Sequence, residues 1–392
     1  MKIRSNSPIR RCGKAAAAAA SALFCAMAGA STYEVVHSFD GYDGLAPIGG
    51  LVVDAAGTVY GTTPDKESHR KGANPGGTLF KIAGGKFTTL QVFHDSTGRA
   101  PAGTLILDAA GNVYGTAQTG GPGGAGTVFK YSEQGGLEVL ASFGIDAGGG
   151  TPTGGPVMDA DGMLYGTTRN FGDACSCGTI WKLDPNTHVL TTLHRFNGTD
   201  GSNSEASLVL RGHTLYGTTT SGGPGGKGTV FTIGTDGTGF ADIPPTDDHH
   251  TFLAGLGGAD ASGNLWGAAV EGGNVDVGGL FRIDAANVYH PAFDFHGRDG
   301  DWPSGTPIVA RDGKVYGTTF YGGSKKADCS CGTVYAFDPA TGTLETLHSF
   351  KGRNDGAEPA AGLAEAPDGS LYGVTFGSGG PYNRGVVFRI VP

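Results

Sequence analysis

Beyond residue 30 this chain has no stretch of sustained helical periodicity, no second long apolar run and no cluster of basic residues. The first absence excludes helical bundles and folds that alternate strand with helix. The second leaves nothing after the N-terminal segment that reads as a membrane span. Basic residues are also outnumbered: without residues 1–30 there are 22 Lys and Arg against 36 Asp and Glu, a net charge of −14. An acidic chain without basic runs does not fit nucleic acid or an anionic membrane as partner, and leaves carbohydrate, protein, metal ions and small molecules. Motifs of chemistry are missing as well. There is no nucleophile elbow and no His-Glu-x-x-His. The Gly-Gly-Pro-Gly-Gly loops at 120–124 and 222–226 are followed by neither Gly-Lys-Ser/Thr nor a helix, so they are not phosphate cradles, and no cofactor is expected.

What the chain has in abundance is glycine, 73 residues of 392, placed in register with a repeat. An aromatic residue followed by Gly and two small residues occurs seven times, beginning at Tyr60, Tyr114, Tyr165, Tyr216, Trp266, Tyr316 and Tyr372. The steps between copies are 54, 51, 51, 50, 50 and 56 residues. Each copy carries four strand signals in a fixed order. In the first, residues 50–54 are followed by a turn, then 58–63, a glycine-rich loop, 77–82, another turn and 87–93. The turn Asp-x-x-Gly recurs at Asp54–Gly57, Asp108–Gly111, Asp159–Gly162 and Asp260–Gly263, and suits a type I turn closed by a left-handed Gly.

A period near fifty residues built of strands and glycine turns predicts an all-β chain, a seven-bladed β-propeller with four antiparallel strands per blade. Small residues such as Ala102-Gly103-Thr104 and Ala360-Ala361-Gly362 fit innermost strands crowding an axis. The first strand-like segment, Tyr33–Phe39, resembles a fourth strand, whereas the last repeat stops after its third at Phe388-Arg389-Ile390. The N-terminal strand is therefore expected to close the ring and cover exposed edges, in one domain over residues 31–392.

Residues 1–30 read as a signal peptide. Lys2, Arg4, Arg10, Arg11 and Lys14 precede the apolar stretch Ala15–Ala30, which ends in the small-x-small pattern Ala28-Gly29-Ala30. The product is expected to be exported, periplasmic or extracellular, and monomeric. Four cysteines follow the leader as two C-x-C pairs, Cys175 with Cys177 and Cys329 with Cys331. The pairs are 154 residues, three blades, apart, too far round the ring for one zinc site. An exported context favours a disulfide within each pair, which needs a bent backbone; structural staple and redox-active pair are both open.

The composite of Leu-Tyr-Gly-Thr-Thr, Gly-Gly-x-x-Gly-x-Gly-Thr-Val-Phe and Leu-His-Ser-Phe-x-Gly-x-Asp-Gly resembles the GloVer (Gloeobacter and Verrucomicrobia) tandem repeat of exported bacterial proteins. Tyr216–Phe231 and Leu347–Gly356 carry it most closely. The resemblance implies a propeller-like repeat and specifies no activity. Many relatives carry a C-terminal anchor that this sequence does not show. Repeat five departs most, with Trp266-Gly267-Ala268-Ala269 in place of the Tyr form and Ala241–Pro245 read as its fourth strand.

Propeller ligands bind over the axis, on the face where a fourth strand runs into the next first strand. Asp43, Asp200, Asp299 and Asp355 in those connections each precede Gly and read as turn formers. His37, His194 and His348 share one repeat position and read as structural. The distinctive connections are Asp247-Asp248-His249-His250 and Arg298-Asp299-Gly300-Asp301-Trp302, which open blades five and six. The candidate ligand-binding residues are accordingly Asp247, Asp248, His249, His250, Arg298, Asp299 and Trp302. Carboxylates and imidazoles can exchange protons, and an indole can carry a sugar ring or a peptide. The leading expectation is a non-enzymatic binding module for a glycan, peptide or protein. The alternative is a polysaccharide lyase or glycoside hydrolase acting at the axial mouth.

Overall fold

The computed structural model describes residues 31–67, 76–144, 148–172, 175–245, 250–323 and 329–392. These form seven antiparallel sheets, each a blade running from an innermost strand to an outer one. In blade one the strands are Val52–Val53, Val59–Thr63, Thr78–Ala83 and Lys86–Val92. Between the first two, the amide of Gly57 donates to the carbonyl of Asp54 and Gly57 takes φ 81°, the left-handed turn that the Asp-x-x-Gly spacing calls for.

Every residue of the aromatic-Gly-Thr-Thr repeat has a separate physical role. In repeats two, three, five and six the aromatic carries a donor that reaches the turn aspartate: Tyr165 Oη donates to Asp159 at 2.8 Å and Tyr316 Oη to Asp312 at 2.7 Å. In repeat five the Trp266 indole N–H donates to Asp260 at 2.9 Å, so the replacement of Tyr by Trp keeps the bond. Burial, with the aspartate's charge added, pushes the phenols up, that of Tyr114 to about 12. The glycine gives room to a fully buried ring of the third strand. A Cβ at Gly166 would lie 2.3 Å from Trp181, and equivalent clashes exist at the other six positions, for example Gly61 on Phe80 and Gly373 on Phe388.

Of the two threonines, the first ties a blade to the next, since Thr116 Oγ1 donates to the Gly154 carbonyl at 3.0 Å and Thr318 Oγ1 to that of Ala361 at 2.9 Å. The second pairs within the blade, as Thr63 with Thr78, Thr168 with Thr179 and Thr319 with Thr333, at 2.8 to 2.9 Å. Thr333 Oγ1 in turn donates to the carbonyl of Asp299 at 3.0 Å, fastening the blade-to-blade connection. These hydroxyls are thus satisfied by one another and by the backbone, whereas the buried Thr62 Oγ1 and Thr153 Oγ1 have no such partner.

The core lies between blades. Tyr60, Leu79 and Phe93 of blade one pack with Leu105, Val113 and Phe129 of blade two, and like clusters recur round the ring. Burying each such side chain contributes about 1.5–3 kcal/mol. Near the axis only backbone and small side chains fit: a Cβ on Gly155 would fall 1.7 Å from the Thr104 carbonyl oxygen.

The ring closes as expected. Thr32–Ser38 pairs antiparallel with Val386–Val391, in a sheet completed by Leu371–Thr375 and Ala364–Glu365. Arg389 bonds Glu34 at 3.0 Å across this seam, and Tyr33 stacks on His348 of blade six at 3.8 Å.

One detail corrects the sequence reading. Ala241–Ile243 is the outer strand of blade four, because it pairs with Thr229–Gly234; blade five has its own outer strand, Tyr289–Asp294. Blade two carries a fifth short strand, Arg99–Pro101, on the upper end of Val113–Thr119. It lengthens a contact that five other blades make as a single bridge, such as Gly150 to Asn170. Blade five is the irregular one: its innermost strand, His250–Ala259, has ten residues and two register shifts.

Candidate functional site

In all seven blades the innermost strand or the segment leading into it reaches an open cavity of about 410 Å³ at the axis, lined by Ile48, Ala102, Thr153, Glu205, Ala254, Ser304 and Ala360 and their neighbours. The repeat builds its rim from two positions. One is the residue just after the aromatic-Gly-small-small tetrapeptide, where Gln118, Arg169, Thr220 and Val270 all reach the cavity. The other opens the innermost strand, at Ala46, Ala100, Thr151, Asn203, Trp302 and Glu358, all with φ between 52° and 59°. A left-handed backbone costs about 1–2 kcal/mol for a non-glycine residue. Because six blades share it, the conformation belongs to the fold, and only the side chain differs.

Paired backbone bonds hold these rim residues. The Trp302 amide donates to Val277 at 3.1 Å and its carbonyl accepts from Phe320 at 2.8 Å. Asn203 and Glu358 donate in the same way to Cys177 and Cys331. The two C-x-C pairs therefore sit beneath the rim, with Cα separations of 5.2 Å for Cys175 and Cys177 and 5.3 Å for Cys329 and Cys331, and the left-handed Ser176 bends the first. Both separations are within the span of a disulfide.

Among the described residues, Trp302 is the one sequence-predicted site residue that lines the cavity. Its side chain is 43% exposed and meets Tyr321, 37% exposed, edge to face at 5.9 Å. Asp299 forms a turn, accepting from the His296 amide at 2.7 Å, and Arg298 is exposed on the same connection, outside the cavity lining. Asp247, Asp248 and His249 lie outside the described residues, and His250 begins the innermost strand of blade five, paired with Gly272. Asp43, Asp200 and Asp355 also close turns, and each receives a ring nitrogen of His37, His194 or His348 at 2.8 to 3.1 Å.

Opposite chemistry comes from residues that sequence reasoning missed. Arg169 of blade three and Glu205 of blade four form a salt bridge, Nε to Oε1 at 3.0 Å, with both side chains partly exposed in the cavity. The readable signal was variation: Pro64, Gln118, Arg169, Thr220, Val270, Phe320 and Phe376 follow seven near-identical tetrapeptides. Among the described residues no group of three or more His, Cys, Asp or Glu side chains is placed to hold a metal ion, and no helix is long and apolar enough to cross a membrane.

Fold and mouth together define a seven-bladed β-propeller with an open, partly polar axial cavity. The chain belongs to the Gloeobacter/Verrucomicrobia repeat family, whose profile matches residues 14–174, 145–251 and 226–392. No curated protein matches it. Among solved structures, an oligogalacturonate lyase from Vibrio parahaemolyticus aligns with a TM-score of 0.57 at 10% identity, over 92% of this chain and 97% of that one. The GH74 xyloglucanase of Xanthomonas campestris aligns with a TM-score of 0.58 at 14% identity, over 88% of this chain and 52% of its own. This chain thus spans about half the length of the xyloglucanase. At such identities the likeness is one of fold.

Proposed function

We propose that the protein is an exported, non-enzymatic binding propeller that holds a glycan over the axial mouth. The observation that carries this reading is Trp302. Of three tryptophans, Trp181 and Trp266 are buried while Trp302 is held out at the cavity rim beside a second exposed aromatic. The apolar face of a pyranose packs on an indole, and polar groups across the cavity then orient its hydroxyls. Arg169, Glu205, Gln118 and Thr220 supply such groups. Hydrolysis of a glycoside ordinarily requires two carboxyl groups flanking the bond. Glu205 is the one carboxylate among the described lining residues, and it is engaged by Arg169. This favours binding over the hydrolase alternative.

Export rests on the leader-like residues 1–30. In an oxidising compartment the two C-x-C pairs would be disulfides that brace Asn203 and Glu358 at the rim. A glycan array probed with the mature protein, followed by a hydrolysis assay on every hit, tests the function. Binding without turnover, lost in Trp302→Ala at unchanged melting temperature, is the expected result. Turnover of a hit, or glycan binding indifferent to Trp302, contradicts it.

A further inference from the structure

Resting on that reading, we infer that the mouth selects neutral saccharides and rejects uronic-acid ones, and that the Arg169–Glu205 pair is the selecting element. These are the two charged side chains among the described lining residues, and they come from adjacent blades to meet at 3.0 Å in the cavity. Arg169 contacts Glu205 through Nε, one nitrogen of a guanidinium whose planar fork carries five N–H donors. A neutral sugar presents hydroxyls, each both donor and acceptor. Its oxygens can take hydrogen bonds from the guanidinium while its hydrogens go to the carboxylate, so both partners are served with their mutual pairing kept.

A uronate cannot be served in that way. Its carboxylate must compete with Glu205 for Arg169, and whichever loses is left beside a like charge at the mouth. The rest of the molecule supplies no compensation, since the chain without its leader carries −14. The other described lining residues in contact range of a ligand, Gln118, Thr153, Thr220 and Ser304 among them, are uncharged. Discrimination by buried or half-buried polar groups that would be left unpaired is strong, stronger than that of an apolar wall.

The test titrates mature protein with tetrasaccharides of glucose, xylose and galactose, and with tetragalacturonate and tetraglucuronate, at fixed ionic strength. Wild type should bind at least one neutral oligomer at least about tenfold more tightly than either uronate. Glu205→Gln, which leaves Arg169 without its counter-charge, should raise uronate affinity and shrink that ratio. Arg169→Gln should weaken both classes and lower uronate binding below that of wild type. Preference of the wild type for a uronate, or a ratio unmoved by Glu205→Gln, overturns the inference while leaving the glycan reading intact. Failure of every oligosaccharide of both classes to bind removes the glycan reading itself, and this inference with it. Should Glu205→Gln fail to fold, the wild-type ratio alone decides.

Discussion

Nε2 of His37 lies 2.8 Å from Oδ2 of Asp43, while the His37 ring stacks at 3.9 Å on Phe87 in the outer strand of the next blade. One imidazole thus joins a blade's outer strand, the connection that follows it and the neighbouring blade. The same unit recurs as His194, Asp200 and Phe240. At the seam, His348 is bonded to Asp355 and stacked on Tyr33, the second residue of the closing strand. These units hold the face on which the axial mouth opens.

The unit at His194 also sets a pH dependence. Burial pulls the His194 imidazole below its ordinary value, outweighing the raising influence of Asp200. A histidine depressed in the folded state binds fewer protons there than in the unfolded chain. Its stability contribution is therefore complete above the unfolded value near 6.5, and is lost as pH falls from there toward the folded value. Melting temperature should fall between pH 7.5 and 5, and His194→Phe should flatten that slope while lowering stability at pH 7.5. A slope unchanged in the variant contradicts the assignment.

A second decline should follow below about pH 4. Burial raises Asp108 and Asp260, but hydrogen bonds from Asn112 and Tyr114, and from Asn264 and Trp266, outweigh it and hold both carboxyls below the usual range. Their contribution is present above the unfolded carboxylate value and disappears as pH falls through the folded one. Asp260→Asn should weaken this acid limb in a melting series, and a limb of undiminished depth would count against it.

Gly166→Ala should lower the melting temperature clearly, because the added methyl lands 2.3 Å from the buried Trp181 ring. Overpacking of this kind costs about 1–3 kcal/mol. Gly57→Ala is the control, since nothing stands within 4 Å of its Cβ and only its left-handed φ is disturbed. Equal effects from the two would show that sterics at the tetrapeptide are not what demands glycine.

Deleting residues 31–40 should open the ring at the pairing of Thr32–Ser38 with Val386–Val391 and expose that edge strand. Light scattering during a thermal ramp should then show aggregation at a temperature where the full mature form is clear. A truncated protein that melts and scatters like the full form excludes closure by this strand.

Thiol counting on the denatured, unreduced mature protein should find no free cysteine, and peptide mapping should place Cys175 with Cys177 and Cys329 with Cys331. Four free thiols would show that the rim at Asn203 and Glu358 is held by its backbone bonds alone.

The architecture was readable because its causes are local and repeated seven times. The glycine under each third-strand ring and the donor-bearing aromatic leave a mark at fixed spacing in every repeat, and the turn Asp-x-x-Gly does so in four. Trp302 was found because it stands beside an unusual connection. Arg169 and Glu205 were not, since their significance lies in a contact between blades that are 36 residues apart in sequence and adjacent only once the ring has formed. Ala241–Ile243 was assigned to the wrong blade for a related reason: a strand too short and polar to announce itself is placed by its hydrogen-bonded partner, which sequence spacing alone does not reveal.

The central claim, that a saccharide seats on Trp302 at the axial mouth, is tested most directly by tryptophan fluorescence. Trp181 and Trp266 are buried, at 0% and 3% exposure, so Trp302 dominates the response to a soluble quencher. Titrating mature protein with an oligosaccharide from the array should shift the emission to the blue and protect it from acrylamide, with both effects absent in Trp302→Phe. Saturable binding that leaves the emission and its quenching unchanged, or changes that persist in Trp302→Phe, would place the ligand elsewhere and contradict the account.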